Sequence, residues 1–183
     1  MILGVLSDTH GNLGLMMQAA RLLRETLGAR HLIHLGDDWE DKEALEHAGY
    51  AVSGVPGLWC PEYSRPSTPK ARVEVFDGLK FAYAHTDQDL PPLVSDVELV
   101  LTGHTHRSTL GRYQGIPHMN PGHLKQAKDR GRPATVGVAR WDDSALYLSI
   151  HNMDGAVCMT ERHGRTTLQE HDDHDTDATA TAL

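Results

Sequence analysis

The chain has 183 residues, 39% of them hydrophobic, and a formal net charge of −8, which suits one domain with a sizeable core and hardly two. An acidic chain without a dense basic run argues against a nucleic-acid partner held by phosphate neutralisation, and no apolar run approaches the roughly 20 residues that span a bilayer. Half of the acidic excess lies from Glu161 onward, and Cys60 and Cys158 form neither a disulfide framework nor a CxxC knuckle; with no signal-peptide pattern the chain reads as cytoplasmic, with reduced thiols.

The opening "MILGVL" is a short apolar run that ends in "SDTHGN", and "LGLMMQAARLLRETLG" then repeats large apolar residues at helical spacing. This predicts strand, loop and helix, with Leu13, Met16, Met17, Ala20, Leu23 and Leu27 as the buried stripe and Gly28 as the stop. "HLIHLGDD" predicts a second strand, followed by a short helix around Lys42 to His47 and a third strand near Tyr50 to Ser53. Such a β-α-β-α-β order implies right-handed crossovers and a parallel inner sheet. From residue 71 antiparallel pairing is expected to take over: "ARVEVF" and "LKFAYAHT" flank an Asp-Gly hairpin turn, "VELVLTGHTHRS" is a buried strand with a polar end, and "TVGVARW" with "ALYLSIHN" makes a last hairpin.

Several of these apolar runs end in residues that can ligate metal. Asp8 and His10 follow the first strand, Asp37 the second, His85 the fifth, and His104 with His106 the sixth. Ligands of open α/β sheets gather at the carboxyl ends of strands, so these six are candidates for one shared site. Residues two apart in an extended segment point the same way, which would aim Asp8 with His10 and His104 with His106. An isolated Asp-x-His is more often turn chemistry, and His34, inside its strand, reads as a packing histidine. Taken together, two carboxylates and four imidazoles at four strand ends suit Mn, Fe, Co, Ni or Zn better than Ca or Mg, which take oxygen shells.

On these motifs the sequence resembles the calcineurin-like metallophosphoesterases, in their small bacterial and archaeal phosphodiesterase branch. "DTH" at Asp8 to His10, "GD" at Gly36 and Asp37, His85, "GHTH" at Gly103 to His106 and "NPG" at Asn120 to Gly122 follow the family's order over about residues 1 to 150. The resemblance implies a four-layer α/β sandwich (αββα) of two mixed sheets flanked by helices, with two divalent transition-metal ions, Mn before Fe, Ni, Co or Zn. It assigns Asp8, His10, Asp37 and His106 to one ion and Asp37, His85 and His104 to the other, with Asp37, His85 and His104 at the catalytic centre. It further implies hydrolysis of a small phosphate ester by a hydroxide bridging the two ions, with no membrane partner and homo-oligomerisation left open.

One family motif is missing. A Gly-Asn pair should follow the third strand, but Gly54 is followed by Val55 and Pro56, and Gly57 by Leu58. The usual imidazole acid after that Asn is absent as well, which favours a diester over a monoester as substrate, and His85 is followed by Thr86 and Asp87 rather than Gly and His. Three readings stay open. Cys60 or Glu62, turned back by Pro56-Gly57 and Pro61, replaces the amide; the second ion binds weakly and is completed by water or substrate; or the site has decayed to a metal-binding interaction or scaffold module, like the phosphoesterase-like subunit of the retromer coat. Packing is the plainer role for Cys60 and Trp59. "HLKQAKDRGR", residues 123 to 132, is either a contact for the far end of an anionic substrate or a solvated loop.

Residues 1–164 are thus expected to form the domain and 165–183 an acidic, His-rich disordered tail with almost nothing to bury. Truncation after Arg165 should leave the melting temperature within about 1 °C of the full chain and turnover unchanged; a thermal melt showing a drop of several degrees would mean that the tail packs on the domain.

Overall fold

In the computed structural model, which describes residues 1–93 and 96–165, the first strand already carries the plan of the molecule. β1 (Ile2–Leu6) sends Leu3 and Val5 into one apolar core and Ile2 and Leu6 into another, as a strand buried on both faces must. It runs parallel to β2 (His31–His34), which runs parallel to β3 (Val52–Gly54). The crossovers are α1 (Leu13–Arg21), continued by a π-helical stretch Leu22–Thr26, and α2 (Trp39–His47). Of the expected stripe on the first helix, Met16, Ala20 and Leu23 are buried with Leu32, Leu45 and Val136, while Met17 and Leu27 pack at its margin. Leu13 is exposed, because it opens the helix next to the exposed turn at Gly11.

The second sheet is built from β4 (Ala71–Phe76), β5 (Leu79–Ala84), β6 (Leu99–Thr102), β7 (Thr109–Tyr113) and β8 (Ile116–Asn120), in the order β4-β5-β6-β8-β7. β4 and β5 join through Asp77-Gly78, both with positive φ, as expected of a primed hairpin turn. The expected antiparallel pairing needs correcting at the centre, where β5 and β6 are parallel and so are β6 and β8. The chain between β5 and β6 crosses the sheet's outer face, where Leu90, Leu93 and Val97 pack on Ala82 and Val100. Pro91 and Pro92 keep that segment from becoming a helix. Among the described residues, therefore, helices flank the six-stranded side and a loop forms the outermost layer on the other.

After the two-residue strands β9 (Lys128–Asp129) and β10 (Arg132–Pro133), which pair only with each other, the chain returns to the first sheet as β11 (Thr135–Trp141), β12 (Ala145–Asn152) and β13 (Val157–Gly164). That sheet has the order β13-β12-β11-β1-β2-β3. β13 escapes a reading by pattern because it is an edge strand with most side chains in solvent. Leu3, Val5, Ile33 and Leu35 of one sheet meet Phe81, Tyr83, Leu99 and Leu101 of the other, and this inter-sheet core fixes the strand ends of both sheets side by side. No helix among the described residues is long and apolar enough to cross a membrane.

Arg165, placed by its sequence at the start of the tail, is docked. Its Nε and Nη2 contact Glu98 at 2.7 and 2.9 Å, Nη2 also donates to Gly78 O at 2.8 Å, and Nη1 donates to Asp142 O at 2.9 Å. One guanidinium thus joins the β11–β12 turn of the first sheet to the second. The rest of the expected tail, residues 166–183, lies outside the described residues. Arg165→Ala is expected to cost about 2–3 kcal/mol, since an ionised acceptor and two carbonyls lose their donor. Urea unfolding checks this: a lowered midpoint with an unchanged slope is expected, and a loss below about 0.5 kcal/mol would make the network a surface pairing of no consequence.

Candidate metal centre

The carboxyl ends of the parallel pairs β1/β2 and β5/β6 face one another, and all six candidate ligands lie in the loops that leave them. The local backbone is not the extended one expected from the Asp-x-His and His-x-His spacing. Asp8, His10, Asp37, His104 and His106 all have positive φ, between 47° and 80°, a left-handed state costing about 1 kcal/mol per residue outside glycine. The only other non-glycine residues in that region, among those described, are Asp77, Gln114 and Arg130, each followed by a glycine. Close packing holds the loops in this state. Gly57 N donates to Asp37 O at 3.2 Å, and a methyl group on Gly57 would overlap the Asp37 backbone. A methyl group on Gly103 would likewise overlap Ser7 Oγ.

Donor atoms of Asp8, His10, Asp37 and His106 lie within 4.8 Å of one another. His10 Nε2 is 3.0 Å from His106 Nε2 and 3.0 Å from Asp37 Oδ2, and His106 Nε2 is 3.3 Å from Asp8 Oδ1. His85 joins from the other sheet, with Nε2 3.6 Å from Asp37 Oδ1, and the exposed His104 sets its ring 5.1 Å from that of His85. Hydrogen bonds on the far sides settle which atoms face inward. His85 Nδ1 donates to Leu35 O at 2.7 Å, so its Nε2 presents a lone pair to the site, and His106 Nδ1 lies 2.9 Å from Asp129 Oδ2. Asp8 Oδ2 accepts from His104 N at 3.0 Å, leaving Oδ1 toward the cluster. Asp8 Oδ1, Asp37 Oδ2 and His85 Nε2 are buried without a hydrogen-bond partner. Converging acceptors of this kind can hold a cation, and carboxylates with imidazoles are a donor set that suits a divalent transition metal.

The electrostatics agree. Burial, then the neighbouring Asp8 carboxylate, pushes Asp37 up to about 7, so a cation would bind where a proton is otherwise held. Burial works against Asp8 too, but the adjacent His106 and Ser7 side chains hold it below the usual carboxylate range. Burial lowers His10 and His85, which keeps them neutral and able to ligate near pH 7.

The loop that lacks the asparagine is a wall. Val55 is only 1% exposed, its side chain lying in the inter-sheet core, and its N–H donates to His34 O at 3.2 Å. Cys60 is a buried free thiol, and Glu62 Oε1 pairs with Arg65 Nη1 at 2.8 Å; neither is among the four clustered residues. Trp59, expected to pack, is instead 87% exposed, since it sits at the tip of the turn that Cys60 N closes onto Gly57 O.

Further side chains support the site from behind. His34 accepts from Gly36 N through Nδ1 and meets Thr9 Oγ1 at 3.2 Å through Nε2, and burial takes its pKa down to about 3. Asp41 accepts from Gly11 N at 3.0 Å. These two brace the Asp8–His10 loop from behind. Asn120 donates to Gly103 O at 2.7 Å and its Oδ1 accepts from Gly122 N at 3.0 Å, so the Asn-Pro-Gly turn holds the 103–106 loop in place.

Residues 1–144 match the calcineurin-like phosphoesterase superfamily domain. No curated protein matches the chain in sequence at a significant level. The fold is shared with YfcE, a phosphoesterase from E. coli, at 23% identity and a TM-score of 0.70 over 88% of this chain and 98% of that one. A novel archaeal phosphodiesterase aligns at 18% identity and a TM-score of 0.62, over 82% and 99% of the two chains. Vps29 from Entamoeba histolytica, in complex with zinc, aligns at 21% identity and a TM-score of 0.61, over 90% and 99%.

Gly57→Ala is expected to displace Asp37, destabilise the protein by about 1–3 kcal/mol and weaken its uptake of Mn. Denaturant titration together with Mn calorimetry tests this, and a variant with parental stability and parental Mn affinity would show that the loop does not set the Asp37 backbone.

Proposed function

The chain belongs to the calcineurin-like phosphoesterase superfamily, and we propose that it is a metal-dependent phosphodiesterase acting on a small phosphate ester. The observation carrying this is the convergence of Asp8 Oδ1, Asp37 Oδ2 and His85 Nε2, all buried and unpartnered, at the junction of the two sheets. Asp8, His10, Asp37 and His106 would hold one divalent ion, and Asp37, His85 and His104 a second, with Mn the first choice and Fe, Ni, Co or Zn as alternatives. When bound, such ions supply Lewis acidity toward a phosphoryl oxygen and an activated water.

The residues of this chain have separable tasks. Asp37 lies between the two donor groups, near both His10 and His85. His104, exposed beside the buried His85, would complete the second ion's donor set from the solvent side. The second donor set is one amide short of the family pattern, with Val55 taken into the core; this supports weaker binding of the second ion, completed by substrate or water. Pro56 stands where an imidazole acid is usual, which favours a diester over a monoester as the substrate.

A second reading, a catalytically weak interaction module, is favoured by the 87% exposure of Trp59 and by the likeness to Vps29. Asp37→Ala, or chelation, is expected to abolish turnover of a generic aryl phosphodiester, and Mn should restore the chelated protein. Full activity after chelation would sink the metal reading, and a preparation that binds two ions yet turns over no phosphate ester would establish the interaction module.

A further inference from the structure

The β9–β10 ribbon belongs to neither large sheet and is nevertheless pinned to the metal centre. Leu124 N, just ahead of it, contacts Ser7 O and Asp8 O, both at 3.1 Å. His123 Nε2 meets Arg132 O at 3.2 Å, and the His123 ring stacks on His106 with centroids 5.4 Å apart. The ribbon turns at Arg130-Gly131, both with positive φ, as a two-residue hairpin requires. The turn leaves Asp129 buried, with Oδ2 2.9 Å from His106 Nδ1. A carboxylate withdrawn from water needs a compensating donor, and His106 is the side chain it meets.

His106 thus lies between two carboxylates that compete for its proton. Asp129 Oδ2 is 2.9 Å from Nδ1, and Asp8 Oδ1 is 3.3 Å from Nε2. With the proton on Nε2, His106 would donate to Asp8 or to His10 Nε2, 3.0 Å away, and have no lone pair for the site. With the proton on Nδ1, the Nε2 lone pair and Asp8 Oδ1 both point at a shared cation. We propose that Asp129 is a positioning residue that wins this competition, fixing the Nδ1–H tautomer of His106 and so readying the first ion's site. This rests on the metal-binding reading above. It gives "HLKQAKDRGR" a role as the arm that delivers one carboxylate to the centre, rather than as a substrate contact or a solvated loop.

Asp129→Asn tests the proposal, because the amide keeps the shape and an acceptor but loses the charge that outbids Asp8. Nitrogen-15 NMR of the full-length, metal-free chain, at a pH where the ring is neutral, should show Nδ1–H on His106 in the parent and a shift toward Nε2–H in D129N. Mn affinity, read by calorimetry, should fall about 10–100-fold with the melting temperature unchanged. The same two readings on Asp129→Ala guard against a folding defect peculiar to the amide. Retention of Nδ1–H in both variants, or parental Mn affinity in both, overturns the proposal. If the parent itself takes up no Mn while the tautomer still switches, the metal reading fails and the control of His106 by Asp129 stands.

Discussion

The structure depends on holding five polar, non-glycine residues in left-handed backbone conformations at the seam between two sheets. Asp8, His10, Asp37, His104 and His106 would each relax toward ordinary conformations if free, and they stay because the loops around them are locked by contact. Gly57 against the Asp37 backbone and Gly103 against the Ser7 side chain allow approaches that a Cβ would block. The inter-sheet core supplies the rigidity behind those contacts, setting β1, β2, β5 and β6 with their carboxyl ends together. Backbone strain at a functional site survives only where the surroundings over-determine it, and here two sheets, two glycines and the Asn120 turn do so.

Charge is organised in layers around the same point. The innermost atoms are acceptors: two carboxylate oxygens and the inward nitrogens of His85 and His106. Asp8, His85 and His106 are each held by a contact on the far side, with His104 N, Leu35 O and Asp129 respectively. Farther out, His34 and Asp41 brace the Asp8–His10 loop. Burial raises Asp37 and lowers His10 and His85; both shifts reduce the net charge of a site without its cation, as a low-dielectric environment demands.

The loop after β3 shows how a departure from the family pattern can be compensated in structure without being compensated in chemistry. Val55 fills the inter-sheet core and Gly57 supports Asp37, so the segment keeps a structural duty while offering no donor side chain at the missing position. Its outer turn instead exposes Trp59, which is the feature on which catalytic and interaction readings of this surface diverge.

The sequence by itself determined the parts governed by local chemistry. Two-residue and helical periodicity marked β1, β2, α1 and the core of both sheets, Asp-Gly marked the β4–β5 turn, and polar residues at the ends of apolar runs marked all six candidate ligands, because strand termini and ligands are neighbours in the chain. It did not reveal β13, an edge strand with little apolar pattern, or the parallel β5–β6 pairing, which depends on where a 14-residue crossover passes. Nor did it reveal the left-handed backbone at the ligands, the burial of Val55, or the partnerships of His34, Asp41 and Asp129. Those are contacts between segments far apart in sequence: Asp129 is 23 residues from His106 and His34 is 25 from Thr9. Residue type states what a side chain can donate or accept, but which partner it meets is decided only when packing brings the two sheets and their loops together.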